Sequence, residues 1–514
     1  MKRNRIFLLW IIMLVFTVCS KAVAQDAKTY FEQGNDHFRS GNYLEAIKSY
    51  DNALAIDPRD GRLFLLRGVS YAALGKYEDA IKDYDKSAEL NPKYAATYGK
   101  RGEAYAAMGK NSEAIKDFDM SIELNPKDAS LYVRRGAAYA ALGKYVEAIM
   151  NCDDAIKLSP EYFEAYINRG IAHYMSGNYH EAIKNYDVAA KLNPRENTVN
   201  LLRGAPHAAL GNYPEAIKNY DRAISLNPTY VEAYSNRGLV YSMSGNYREA
   251  IKNYNKAIEL NPKDIATYRR RADAHEKTNS DDDAIKDYDK LIGFGLKDAT
   301  VYLKRGSLFD KTGKFSDAIN DFDEAIKLKP DYFEAYYKKA LVLYAMARYP
   351  ESIATFDRAI EINPDFSVAY YNRGIAYAVT GNQVEAVRNY EKASSLNPKD
   401  PAIYVRQGDA YTILREYANA AQSYEKALNL DPKAPGVYYN RGLALAKLKD
   451  HAEAIKSFSK AVELNPGFVN ALYNRAVSFR ELGREAEALN DYKAAARLGD
   501  HGSQYYLRSK GIKW

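Results

Sequence analysis

The sequence predicts an all-α solenoid of stacked helix-turn-helix units, and three observations carry that prediction. The chain matches itself at a spacing of 34 residues, without a slip in phase, through fourteen units from Ala27 to Gly502. Small residues recur at fixed places in the units, where two helix backbones must approach each other. Gly and Asn-Pro recur where helices must stop. A period of this size is one supersecondary unit that cannot bury its apolar face alone, so neighbours stack and share a continuous core.

Numbering each unit from 1 to 34 gives every element its cause. The first helix carries an aromatic at position 4, Tyr in eleven units, and Gly at position 8 in eleven, as at Gly34, Gly68 and Gly102. Gly at 8 and a small partner at 20 let two helices pack closely, while large residues at 4, 24 and 28 fill the space beside the contact. Position 15, usually Gly, ends the first helix, because glycine takes a left-handed cap without penalty. The second helix opens with an acid at 19 in thirteen units, where the helix macrodipole favours an anion, and carries Ala at 20 in thirteen. Asn-Pro at 31 and 32, as in Asn91-Pro92, then stops it.

Two units depart from the pattern. In the sixth, Pro206 falls inside the first helix, where it removes the hydrogen bond to the carbonyl of Leu202, and Asn200 replaces the aromatic at position 4. In the eighth, Ala272, Leu291 and Leu296 replace the Gly, the small residue and the Pro at positions 8, 27 and 32. Residues 197–210 and 265–298 are therefore the expected weak points of the array.

The ends read differently. Residues 1–24 have the form of a secretory signal: basic Met1-Lys-Arg-Asn-Arg5, an apolar run from Ile6 to Val18, then Ala22-Val-Ala24 before Gln25. Such a run is shorter than the ~20 residues that span a bilayer, so cleavage after Ala24 is favoured over retention as an anchor. Val18, bulky and directly before Cys19, speaks against lipidation. Removal of Lys2, Arg3, Arg5 and Lys21 takes the formal charge from +7 to +3. So small an excess makes no broad cationic field, and nucleic acid is not the expected partner. Cys152 is then the lone thiol, which excludes an intramolecular disulfide. Residues 503–514 are left as a short capping tail.

Repeat-wide charges point to an internal ladder. Position 7 is Arg in eleven units, including Arg67, Arg101, Arg135 and Arg169, and position 25 is Asp or Glu in eleven, including Asp85, Asp119 and Asp153. Recurring opposite charges are most simply satisfied by each other, with an Arg rail for an anionic ligand as the alternative. His37, His173, His207 and His275 share position 11, one per unit. Adjacent helices lie ~8 to 10 Å apart, too far for ligands that must converge to ~2 Å from one ion, so these histidines read as packing residues and no metal or cofactor is implied. Cys152 sits at the aromatic position 24 and reads as a small buried hydrophobe. Phosphate-loop, nucleophile-elbow and zinc-protease motifs are missing, and the repeat consumes the chain from Ala27 onward, so no enzyme is expected.

An aromatic at 4, Gly at 8, an aromatic at 11, Ala at 20, an aromatic at 24, Ala at 27 and Pro at 32 together resemble the tetratricopeptide repeat. The unit from Ala129 to Tyr162 shows the pattern through Tyr132, Gly136, Tyr139, Ala148, Ala155 and Pro160. The resemblance implies a right-handed superhelical α-solenoid whose inner groove, lined by the first helices, holds a partner protein or peptide.

That groove is expected at positions 2, 5, 6, 9, 12 and 13. Asn recurs at position 6 as Asn168, Asn236, Asn372, Asn440 and Asn474, resembling the Asn ladder with which some members hold a peptide backbone; an amide both donates and accepts, as a peptide group does. Arg270 and Arg406 follow Asn236 and Asn372 one repeat later, but the rest of the family's carboxylate clamp is missing: the one Asn at position 9 is Asn35, with Phe31 rather than Lys at 5. Asn236, Arg269 and Arg270 mark the expected principal binding surface, where the lining changes from apolar to charged. The expected protein is thus an exported, periplasmic or cell-surface scaffold for a partner protein or peptide. A carrier of polysaccharide or another small ligand, with Tyr residues as stacking platforms, is the alternative.

Overall fold

A computed structural model describes residues 26–514; the expected signal segment and Cys19 lie outside the described residues. Among the described residues there are 29 helices and no strand, an all-α solenoid of consecutive helix-turn-helix pairs. No described helix is long and apolar enough to cross a membrane. The chain divides into two compact units, one ending at Ala274 and the other beginning at His275.

The repeat sets the length of each helix. First helices run from position 1 to position 13, as Gly61–Ala73 and Ala95–Ala107 do. Second helices run from 17 to 30, as in Tyr77–Leu90 and Tyr145–Leu158. Position 15 carries positive φ throughout: Gly75 stands at 74° and Gly381 at 84°. Four repeats accept this backbone without glycine, at Asn279, Ala347, Arg415 and Lys449, with φ from 54° to 63°. At the far end of the hairpin the helix closes on its own carbonyls, with the Asn91 N–H donating to the Ser87 carbonyl at 2.8 Å. In six of the thirteen junctions an acid at position 34 caps the next repeat, as Asp60, Asp128 and Asp400 do by each accepting from a backbone N–H two residues on; the other junctions carry Tyr, Phe or Ala there. The last residue of one repeat's second helix and the first of the next repeat, as Leu90 and Ala95, are five positions apart, and this short linker keeps the phase.

The core lies between the two helices of each repeat and passes on to the next. An added Cβ at Gly170 or Gly204 would come within 2.5 Å of the ring of Tyr186 or Tyr220 at position 24. Rings at 24 are fully buried, among them Tyr50, Tyr84, Phe118, Tyr254 and Phe322. Gly at 8 therefore serves the ring at 24 as much as the helix backbones. In repeat 4 Cys152 takes the place of that ring; it is 1% exposed, and burial pushes its thiol up to about 12. Such a thiol has the buried, unreactive character that its position implied.

The two irregular repeats behave differently. Repeat 6 keeps a first helix of full length, Asn197–Ala209, with Pro206 inside it. In repeat 8 the second helix, Asp281–Gly293, stops at position 29 and is followed by Gly295 at φ 82°. His173 and His207 are half-buried at position 11, with the Nδ1 of each enclosed and unpaired among the described residues.

Candidate binding groove

The row of Arg at position 7 is occupied by the protein itself. Arg101 places Nε and Nη2 on the two carboxylate oxygens of Asp117, at 2.8 and 2.7 Å, and Nη1 on Asp85 of the preceding repeat at 2.6 Å. Arg67 holds Asp83 and Asp51, and Arg305 holds Asp321 and Asp289, in the same way. Where position 23 is Asn, the fork simplifies: Arg203 gives Nε to Asn219 at 2.5 Å and Nη1 to Asp187 at 2.7 Å. The guanidinium also lies over the position 4 ring, at 5.5 Å for Arg101 over Tyr98. Each Arg of this kind bridges its own second helix and the second helix before it. The expected pairing of positions 7 and 25 is present, and the partner at 23 was not foreseen. The charge pattern at 23, Asp in some repeats and Asn or Ser in others, hid the regularity.

With position 7 engaged inside, the rows left for a ligand lie elsewhere on the first helices. In four of the fourteen repeats position 13 carries a large exposed apolar side chain: Met175 and Met243 in the first unit are 56% and 47% exposed, and Val379 and Ile413 in the second are 51% and 63%; the other repeats have Ala or a charged residue there. Position 6 reaches back one repeat to position 5. Asn372 Nδ2 donates to the Tyr337 hydroxyl at 3.2 Å, and Asn474 Nδ2 to the Tyr439 hydroxyl at 3.3 Å. Arg270 Nη1 donates to the Ser235 hydroxyl at 2.9 Å, and Arg406 engages the Tyr371 hydroxyl, which raises its pKa.

The sequence-selected residues therefore fall into two groups. Asn168, Asn372 and Asn474 also donate to the carbonyl four residues earlier in their own helix, at 2.8 to 2.9 Å. The two donors of Asn372 and of Asn474 are thus committed, Asn168 uses one of its two, and each amide oxygen is left as an acceptor among the described residues. Asn440 contacts the Tyr424 hydroxyl. Asn236 makes no hydrogen bond among the described residues, and Arg270 uses part of a five-donor group on Ser235. Arg269 and Arg270 are adjacent on one helix and half-buried. Asn35, the single Asn at position 9, accepts from the Tyr50 hydroxyl at 2.9 Å, a structural bond in place of a clamp.

Ten of the 46 tyrosines are buried, nine of them at position 24. Tyr50, Tyr84, Tyr186 and Tyr288 are fully buried at position 24. At position 4, Tyr98, Tyr132 and Tyr166 give their hydroxyls to the carbonyls of Pro92, Pro126 and Pro160. The buried rings at position 24 are not available as platforms for sugar rings, whereas Tyr98, Tyr132 and Tyr166 at position 4 are half-buried. Among the described residues, no group of three or more His, Cys, Asp or Glu side chains converges as metal ligands would.

Hairpins of constant length, a shared core and an internal charge ladder define a repeat solenoid of the helical-hairpin class. Models described as TPR repeat or tetratricopeptide repeat match residues 31–95, 102–143, 138–177, 163–196, 204–245, 231–264, 303–365, 355–388, 408–449 and 435–468. The chain belongs to the tetratricopeptide repeat family. No curated protein sequence matches it. Among solved structures it is similar to the APC/C hetero-tetramer Cut9-Hcn1, at 15% identity over 95% of this chain and 97% of that one, with a TM-score of 0.40. It is similar to a tetratricopeptide repeat protein from Parabacteroides merdae at 19% identity over 48% and 98%, with a TM-score of 0.42. Similarity to the MamA protein is 26% over 34% and 94%, with a TM-score of 0.31.

Proposed function

We propose that this protein is an exported, non-enzymatic scaffold that holds a partner protein, through an extended segment, on the inner face formed by its first helices. One observation carries this reading. The repeat-wide charges at positions 7, 23 and 25 are consumed within the fold, whereas four first helices keep an exposed apolar side chain at position 13, Met175, Met243, Val379 and Ile413, on a face that carries amides and cations at position 6. Apolar anchors flanked by groups that read a peptide backbone suit an extended protein segment. In the first unit the groove residues are Asn168, Asn236, Arg269 and Arg270; in the second they are Asn372, Arg406, Asn440 and Asn474.

The reading is tested by capturing partners from a cell-envelope extract and comparing the affinity of the purified partner for the parent and for an Asn236→Ala, Arg270→Ala double variant. Both proteins are first shown by circular dichroism to be folded. A loss of ~2 kcal/mol or more, the scale of an interface hot spot, supports the surface around Arg270. Unchanged affinity moves the search to the second unit. Recovery of glycan without protein would favour the carrier alternative. Detection of the mature N-terminus at Gln25 by mass spectrometry tests export.

A further inference from the structure

Three cavities open on the first-helix face, and they share a cause in the sequence. Position 17 is Tyr in eight repeats and Phe in one. Its ring packs beside position 12, as Tyr349 does against Tyr344 at a centroid distance of 5.4 Å. Each cavity is lined by a position 17 residue that is not aromatic: Asn111 in repeat 3, Asp281 in repeat 8 and Gln383 in repeat 11. Each also has a cation at position 6 of the following repeat: Arg134, Lys304 and Arg406. In these three repeats the missing ring coincides with a recess that has a positive charge at its edge.

In two of the three recesses the cations are held in the closer ion pairs. Arg134 forms an ion pair with Glu103. Lys304 stands 3.6 Å from Glu276, and Lys311 stands 2.9 Å from Asp281. The third, about 300 Å³, is lined on its apolar side by Ile375, Ala378, Val379, Ala410 and Ile413. Its cation, Arg406, is the most exposed of the three, at 56% against 42% for Arg134 and 39% for Lys304; it pairs at 3.8 Å with Asp409, which also lines the recess, and engages the Tyr371 hydroxyl. Gln383 in this recess donates Nε2 to the Ala378 carbonyl at 2.9 Å, while its Oε1 is buried and without a partner among the described residues. A buried acceptor left unpaired destabilises the fold, and a tyrosine would fill the same place, so the local rule is broken without a structural return.

We propose that this recess is a socket for one aliphatic side chain of the partner's extended segment, with an acidic residue next to it in the segment paired to Arg406. The aliphatic group fills the space between Val379 and Ile413 that a ring occupies elsewhere, and a carboxylate matches the exposed guanidinium. The inference rests on the groove reading and narrows it to a residue class and a place.

The test uses a phage-displayed library of random decapeptides, selected on the full chain, followed by fluorescence anisotropy of the enriched peptides. The socket predicts enrichment of Leu, Ile or Val beside Asp or Glu. It also predicts that Gln383→Tyr weakens binding at least tenfold while the melting temperature holds or rises. Ile413→Ser, at an exposed side chain that the fold does not need, is expected to weaken binding similarly, and Asn111→Tyr to leave it unchanged. Peptides whose affinity is the same for parent, Gln383→Tyr and Ile413→Ser overturn the socket; if they are lost on Asn236→Ala with Arg270→Ala, the groove reading survives. A selection that enriches no peptide above the empty support overturns both.

Discussion

Arg101 reaches across a repeat boundary to Asp85, with 2.6 Å between Nη1 and the carboxylate, while the rest of its guanidinium clasps Asp117 in its own repeat. One side chain thus ties three helices, and its counterparts do so along both compact units. Charge here couples neighbours, in an architecture whose stability is a sum of nearest-neighbour contacts.

The two carboxylates are not equivalent, and their substitutions separate them. Asp117 is buried and Asp85 is largely exposed. Arg101→Ala leaves a buried carboxylate without its partner and is expected to destabilise the surrounding repeats by about 3 kcal/mol. Asp85→Ala removes a solvated partner and should cost under about 1 kcal/mol. Denaturant unfolding of both variants checks the ratio; equal losses would contradict the ladder as described.

Glycine at position 8 should matter in proportion to the ring it faces. Gly170→Ala places a methyl 2.5 Å from Tyr186 and is expected to destabilise by about 1 to 3 kcal/mol. In repeat 4 the nearest atoms to a new Cβ at Gly136 are the Ala148 carbonyl at 3.1 Å and Asn151 Cβ at 3.2 Å, with Cys152 Sγ at 3.5 Å. Gly136→Ala should therefore be the milder change. Thermal melts of the pair decide the order.

Much of this was legible in the sequence because the period is strict. The hairpin lengths, the Gly at 15, the ring at 24 and the pairing of 7 with 25 follow from residues that recur at one phase. The partner at position 23 was not legible, because Asp117, Asn151 and Ser457 differ in type while each accepts from the position 7 Arg of its own repeat, Arg101, Arg135 and Arg441. Nor did the pattern disclose that Arg270 bonds Ser235 or that Asn372 bonds Tyr337, since those contacts join two variable positions across a repeat boundary. The recess at Gln383 was hidden for the opposite reason. A residue that breaks a repeat is noticed only when the space it leaves is seen.

Burial holds the pKa values of His173 and His207 below the ordinary histidine value of 6.5. The charged form is then favoured in the unfolded chain, so stability is present above about pH 6.5 and falls as pH drops through that value. A His173→Tyr, His207→Tyr variant, bearing the ring common at position 11, should lose less stability between pH 7 and pH 5 than the parent. Parallel denaturation curves at the two pH values measure the difference, and identical slopes would rule out these histidines as the source.

Repeats 6 and 8 are proposed as the weak points of the array. Pro206 lacks an amide hydrogen within Asn197–Ala209, and the second helix of repeat 8 ends early at Gly293. Amide hydrogen exchange should open sooner in residues 197–210 and 265–298 than in the repeats on either side. Uniform protection along the chain would remove this expectation.

The central claim is that the first-helix face, rather than the outer second helices, holds the partner. Hydroxyl-radical footprinting of the protein with and without its captured partner tests it most directly, because exposed apolar side chains mark both surfaces. Met175, Met243, Val379 and Ile413 stand at position 13 of first helices, and Val146, Met150 and Val384 stand exposed on second helices. The account predicts reduced oxidation at one or more of the position 13 side chains, with Val146, Met150 and Val384 oxidised as in the free protein. Protection confined to Val146, Met150 or Val384 would contradict it.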